Sequence, residues 1–309
     1  MKQVDRVISE RLTTEVPLVK EVAEYIISAG GKRLRPALLL LFSGALNNLG
    51  PNSHVLAAVV EFIHTATLLH DDVVDESTLR RGRPTANEQF GNAPSVLVGD
   101  FLYSRAFQMM VSVNNMRVMR VLADTTNVIA EGEVLQLMNM RDSSLNEASY
   151  LRVIRSKTAQ LFEASARLAP ILAGATAEVE AACAAYGQAL GTAFQVIDDV
   201  LDYEGDSGLL GKNLGDDLRE GKVTLPLIFA LQRAGASDRT LISEAIEHGD
   251  LGQQDRILKV IRDCGALQAT RACASAEAER AAHALSPLPP SEYKDALLQL
   301  AGGLLDRQS

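Results

Sequence analysis

Six aspartates in two matching sets are where this chain could do chemistry. The first set sits in Leu68-Leu69-His70-Asp71-Asp72-Val73-Val74-Asp75, at the end of an apolar run that begins at Val55. At helical spacing Asp71 and Asp75 share a face, and Asp72 lies about 100° round from Asp71. His64 and Leu68 stand on the Asp71 face, within the two preceding turns. Three carboxylates at the end of a buried helix repel one another strongly. Hard oxygen donors of this kind suit Mg²⁺, which completes its shell with water and substrate phosphates. Taken alone, the set reads equally as a solvated helix end with clustered charge. The same spacing recurs at Gln195-Val196-Ile197-Asp198-Asp199-Val200-Leu201-Asp202, again closing an apolar helical run. The repeat favours metal: Asp71, Asp72, Asp75, Asp198, Asp199 and Asp202 are the expected ligands. Two such triads facing each other across a helical cavity would hold Mg²⁺ around one diphosphate.

The elements that position them are expected to be helices. The chain has 309 residues, 47% hydrophobic, no Trp, and 10 Pro that fall mostly between periodic segments. That composition favours helix over sheet. No linker or low-complexity tract appears, so residues 1–309 read as one all-α domain. The net charge of −9 makes nucleic acid a poor partner, and no basic amphipathic stretch suggests anionic lipid. Cys183, Cys264 and Cys273 are odd in number and lack metal-ligand spacing, as expected in a reducing cytoplasm. The N-terminus is charged and shows no signal-peptide core. The longest apolar run near the start, Pro36 to Phe42, is too short to span a bilayer.

Several segments flank the aspartates with positive charge. Gly30-Gly31 closes one helix, and Gly31-Lys32-Arg33-Leu34-Arg35-Pro36 opens the next, with Lys32 and Arg35 at an N-terminus that favours anions. By itself this stretch reads as an exposed basic turn. Asn52 or Ser53 is expected to cap the helix carrying Asp71. Arg80 and Arg81 follow Asp75 in a loop, where guanidinium forks suit phosphate or compensate the aspartates. Two long helices are expected from Ser95 to about Met140, broken near Asn114-Asn115. Asn146 should cap the helix bearing Lys157 and Thr158, bounded by Pro170 and Gly174. Gln195 shares the Asp198 face. Gly205 to Lys222, with Lys212 and Lys222, reads as a lid or a solvated loop. From Leu225 on, amphipathic helices read as scaffold packed round the outside.

These motifs, in this order, resemble the trans-isoprenyl diphosphate synthase family, in particular its long-chain polyprenyl (octaprenyl-type) branch. The likeness runs from about Tyr25 to the C-terminus. It implies an all-α bundle around a central cavity. It also implies Mg²⁺-dependent head-to-tail condensation of isopentenyl diphosphate onto an allylic diphosphate such as farnesyl diphosphate, with about two to three ions. By this resemblance Lys32, Arg35, His64 and Arg81 hold isopentenyl diphosphate. Arg80, Lys157, Thr158, Gln195, Lys212 and Lys222 serve the allylic substrate, and Asn127, Glu131 and Glu133 to Gln136 line the cavity wall. The resemblance further implies a cytoplasmic homodimer and a product, about eight units long, for quinone side chains. In short-chain relatives aromatic rings stand where this chain has Ala66 and Thr67, so the tunnel should stay open below Asp71. Met110, beside Met109, is the expected floor, supported by Leu122. A class I terpene cyclase also ionises a diphosphate with Mg²⁺, but has no need of a second diphosphate clamp. A non-catalytic subunit of a two-protein synthase would not need both triads complete.

Overall fold

Helix follows helix along the chain, and the all-α expectation holds. The computed structural model describes residues 1–204, 215–249 and 252–306. The first helices are α1 (Lys2–Arg11), α2 (Pro17–Ser28), α3 (Leu34–Ala45) and α4 (Pro51–Val74). The strands among the described residues are β1 (Leu79–Arg80) and β2 (Arg83–Pro84), an antiparallel hairpin. After it come α5 (Ala86–Phe90), α6 (Asn92–Ser112), α7 (Met116–Met138), α8 (Glu147–Ile154), α9 (Gln160–Ala173) and α10 (Ala177–Glu204). Further helices cover Asp216–Glu220, Leu225–Arg233, Ala236–His248, Gln254–Asp263, Ala266–Ala284 and Glu292–Gly303. None of the described helices is long and apolar enough to cross a membrane.

The described residues group into two units. One falls within Met1–Thr126, Leu161–Gly187 and Leu285–Leu297, the other within Asn127–Gln160, Gln188–Ala284 and Leu298–Ser309. In the first, α4 is the central helix, with α1, α3 and α6 packed on it. Leu56 to Val60 are buried without interruption, as are Phe62, Ile63, Ala66 and Leu69, so the helix is apolar all round rather than along one stripe. Each fully buried Leu, Ile or Phe contributes about 1.5–3 kcal/mol. The expected cap at Asn52 or Ser53 is not what starts it. Gly50 is extended and Pro51 takes the first helical position, where its missing N–H costs nothing. Ser53 lies inside, its hydroxyl donating to the Asn48 carbonyl at 2.9 Å.

Two expected boundaries fared differently. The break near Asn114-Asn115 stands: Asn115 Oδ1 accepts from the N–H groups of Arg117 (3.0 Å) and Val118 (3.2 Å). Pro170, expected to bound a helix, lies inside the last turn of α9. Its carbonyl accepts from Ala175 N, and Gly174 turns left-handed at φ 64. That is a Schellman close, in which the proline supplies the acceptor and its absent donor is not needed downstream.

Close packing in this unit depends on Gly187 in α10. A Cβ there would lie 2.5 Å from the Phe162 carbonyl oxygen and 2.7 Å from Glu163 Cα, both backbone of α9. Gly187→Ala is therefore expected to destabilise by about 1–3 kcal/mol through overpacking. Thermal unfolding checks it, and an unchanged midpoint would refute the close approach.

In the second unit, Tyr150 and Ile154 of α8 meet Val196, Ile197, Val200 and Tyr203 of α10. Leu225, Leu227, Ile228, Ile242, Ile257 and Ile261 complete the same core. The segment after Leu225 was expected on the outside. Its apolar faces instead form the interior under the second aspartate set. The Asn146 cap stands, accepting from Ser149 N at 3.0 Å.

Candidate active site

In the first unit α4 delivers Asp71, Asp72 and Asp75 to its C-terminal end. Asp71 and Asp75 are half-buried, while Asp72 is fully buried. Asp72 is gripped by Arg80: Nε lies 2.9 and 3.0 Å from the two carboxylate oxygens, and Nη2 is 2.6 Å from Oδ1. Burial opposes the Arg80 charge, but the Asp72 hydrogen bonds and the Asp71 and Asp75 charges outweigh it and raise its pKa. The hairpin that presents Arg80 turns through Arg81 (φ 54) and Gly82 (φ 72), both left-handed, as a two-residue hairpin of matching twist requires. Thr85 Oγ1 and Asn87 Nδ2 donate to the Ser77 carbonyl at 2.6 and 3.2 Å and tie the hairpin to the end of α4.

A cationic cluster lies on the same unit. Arg35 Nη1 is 3.3 Å from His64 Nε2, and its guanidinium sits 4.3 Å over the Phe162 ring. Burial pushes the Arg35 pKa down to about 10, partly offset by Glu61. Burial, reinforced by Arg35, Arg80, Arg81 and Arg33, holds His64 well below the usual histidine range. The ring is therefore neutral, with Nε2 accepting from Arg35. Gly31 lets the Arg81 guanidinium close in: a Cβ there would lie 2.7 Å from Nη2. Arg33, at the N-terminus of α3, is left-handed (φ 48), a conformation that costs of order 1–3 kcal/mol. Its Nη1 lies 3.1 Å from Glu61 Oε1. His70, next to Asp71, is 3.2 Å from the Val96 carbonyl and 3.3 Å from Asp100. Gly99 makes room for that ring, since a Cβ would lie 2.3 Å from Nε2.

In the second unit α10 ends with Asp198 half-buried and with Asp199 and Asp202 buried. Tyr150 donates its hydroxyl to Asp199 Oδ2, and Gln195 Nε2 donates to Oδ1 at 2.8 Å. Gln195, expected on the Asp198 face, thus serves Asp199, one helical turn ahead. Thr158 in turn donates to Gln195 Oε1 at 3.0 Å. Burial, with the Asp217 charge next and that of Asp198 after it, raises the Asp199 pKa well above the usual range, against the pull of its two hydrogen bonds. Asp202 Oδ2 accepts from Asp217 N at 3.2 Å.

Lys157 and Thr158 sit on a π-helical turn, Arg155–Ala159, between α8 and α9. Gly132 of α7 explains how the wide turn fits, because a Cβ there would lie 2.8 Å from Lys157 N. The neighbouring Glu133 holds Lys157 Nζ at 2.6 Å. Lys222 Nζ lies 2.8 Å from Glu220. Tyr150, Lys157, Thr158, Gln195, Asp199 and Lys222 line one cavity of about 120 Å³. Lys212 lies outside the described residues.

Among the described residues no group of three or more His, Cys, Asp or Glu side chains converges on one point where a metal could sit. Asp72 turns inward to its arginine fork, and Asp199 to Tyr150 and Gln195. The carboxylates of Asp71, Asp75 and Asp198 are the oxygen donors of the type a hard divalent cation takes. Of the cations expected to meet phosphate, Arg80, Lys157 and Lys222 each lie against a carboxylate. The expected chain-length residues Ala66, Met110 and Leu122 are fully buried, and Thr67 is half-buried. Sequence reasoning missed Glu61, which stands one turn before His64 and was reachable by that spacing. It also missed Tyr150 and Gly132, for which no local pattern speaks.

The polyprenyl synthetase family model matches residues 16–264. The octaprenyl diphosphate synthase of Escherichia coli (strain K12) is 52% identical over 304 residues, covering 97% of this chain and 94% of that protein. A polyprenyl synthase from Caulobacter crescentus CB15, complexed with calcium and isoprenyl diphosphate, superposes with a TM-score of 0.97 at 45% identity, over 100% of this chain and 95% of that one. A decaprenyl diphosphate synthase from Rhodobacter capsulatus gives 0.94 at 47%, over 100% and 96%. With likeness of this extent and both aspartate motifs in place, the chain belongs to the polyprenyl synthetase family.

Proposed function

We propose that this prenyltransferase joins isopentenyl diphosphate head-to-tail to an allylic diphosphate such as farnesyl diphosphate and builds an all-trans chain of about eight units, as long-chain relatives do. The observation that carries the reading is the full-length likeness to an octaprenyl diphosphate synthase, with both Asp-Asp-x-x-Asp motifs intact. Asp71, Asp75 and Asp198 would hold Mg²⁺, whose charge offsets that of the allylic diphosphate and lets it depart. Lys157, Thr158 and Lys222 bind that diphosphate as it leaves. Lys32, Arg35 and Arg81 bind the other substrate, with His64 fixing the Arg35 guanidinium. The allylic C1–O bond breaks, C1 bonds to C4 of isopentenyl diphosphate, and the proton lost from C2 passes to the released diphosphate. No side-chain nucleophile takes part.

Incubation with Mg²⁺, radiolabelled isopentenyl diphosphate and farnesyl diphosphate, followed by chromatography, tests this directly. Label should move into a long prenyl chain. Absence of incorporation refutes the reading, and conversion of the allylic substrate alone to hydrocarbon would identify a cyclase.

A homodimer is part of the same reading. Leu97 and Val111 of α6 and Met116, Val134, Leu137 and Met138 of α7 are between 58% and 80% exposed. Exposed apolar side chains of this kind on each unit support cover by a partner, and two-fold closure is the common solution. Sedimentation should show a dimer, and a monomer at micromolar concentration would rule it out. The three cysteines are free thiols, in keeping with a cytoplasmic enzyme.

A further inference from the structure

Glu61 is a buried carboxylate that the reaction above does not use. It lies on α4 in the row Glu61, His64, Leu68, Asp71, Asp75, which follows the helical repeat. It is 9% exposed. Burial raises its pKa against the pull of Arg33, Arg35 and Arg81. Its Oε1 pairs with Arg33 Nη1 at 3.1 Å. Its Oε2 has no hydrogen-bond partner, and neither Arg33 Nη1 nor Arg35 Nε has one. The contact with Arg33 is thus an ion pair without hydrogen-bond alignment.

By charge alone, a carboxylate among these cations works against an anionic substrate. Its presence calls for a different role, and Arg33 supplies one. Arg33 stands between Lys32 and Arg35 with a left-handed backbone (φ 48). A non-glycine residue stays in that region only where its surroundings over-determine it. The ion pair with Glu61 is a side-chain contact able to hold it.

We propose that Glu61 is a positioning residue for isopentenyl diphosphate: through Arg33 it holds the Gly31–Arg35 turn so that Lys32 and Arg35 present their charges to the diphosphate. This rests on the function proposed above. Glu61 touches no substrate and acts through the backbone of the turn.

Steady-state kinetics on Glu61→Gln, with each substrate varied in turn, tests the sign as well as the size of the effect. The substitution keeps the shape and removes the charge. The Michaelis constant for isopentenyl diphosphate should rise roughly tenfold, the low end for losing a supporting partner at a ligand site. That for farnesyl diphosphate should stay within about twofold, and kcat within about threefold. Arg33→Gln should reproduce the rise, and the double variant should be no worse than either single one, because all three lose the same contact. If Glu61→Gln fails to fold, Arg33→Gln, at a side chain that is 19% exposed, carries the same comparison. A fall in the isopentenyl constant would mean that Glu61 acts by charge alone. Equal rises for both substrates would mean a merely structural role, and additive losses would mean that Glu61 does not work through Arg33. Each of these overturns the proposal. Wild-type turnover beside unmoved constants overturns this proposal only, whereas a wild-type enzyme without product overturns the function and the proposal together.

Discussion

Replacing Asp71 or Asp198 with alanine is expected to lower turnover by more than about a hundredfold, the scale for losing a stabiliser of developing charge, while the melting curve stays near that of the wild type. Both side chains are half-buried at helix ends, so truncation leaves no closed cavity. Asp72→Ala makes the contrast. It abandons the Arg80 guanidinium, which is bound through Nε and Nη2 to that carboxylate. Breaking a fully buried pair costs about 3–5 kcal/mol, and because Arg80 is 29% exposed the cost here falls below that. Asp72→Ala should therefore lose stability along with activity. Turnover within about tenfold of wild type for Asp71→Ala or Asp198→Ala would remove the case for those carboxylates as metal ligands.

Ala66→Phe is expected to shorten the product to the starter plus one or two units. Ala66 stands five positions before Asp71 on a continuous helix, about 7.5 Å along its axis at roughly 1.5 Å per residue. It is fully buried, and a ring there would occupy space that a growing chain needs. Met110→Ala should act in the opposite sense, since it removes volume at the expected floor. Chromatography of the dephosphorylated products reads both. If Ala66→Phe leaves the product distribution unchanged, the chain does not grow along α4. If only Met110→Ala is silent, the direction stands and the floor lies elsewhere.

What could be read from the sequence follows from how local each signal is. The aspartate sets, the Arg80-Arg81 turn and the Asn146 cap are decided by residues within one or two turns of each other, so spacing revealed them. The start of α4 was misplaced because Pro51 and Ser53 send competing local signals and the proline prevails. Pro170 was misjudged because a proline near a C-terminus can end a helix or supply the last acceptor, and the left-handed Gly174 decides. Tyr150 could not be found at all. It reaches Asp199 only once the core of Val196, Ile197 and Val200 has brought α8 against α10. The partners of the cations expected to meet phosphate were equally hidden, since Lys157 meets Glu133 from another helix.

The π-helical turn at Arg155–Ala159 has a consequence for when the enzyme becomes ready to react. Such a turn adds one residue without interrupting the helix, so the side chains after it are rotated relative to those before it. Tyr150 and Ile154, before the turn, belong to the apolar core and border the cavity, while Lys157 and Thr158, on the turn, add polar groups to the cavity wall. A loop could make the same change of direction, but each of its residues would have to be ordered when substrate arrives, at about 1–2 kcal/mol of backbone entropy apiece. In a helical segment that ordering is complete once the protein has folded. On the proposed function, the ammonium of Lys157 would then wait on a stiff rod, and binding energy from the diphosphate would remain available to the reaction instead of being consumed in arranging the protein.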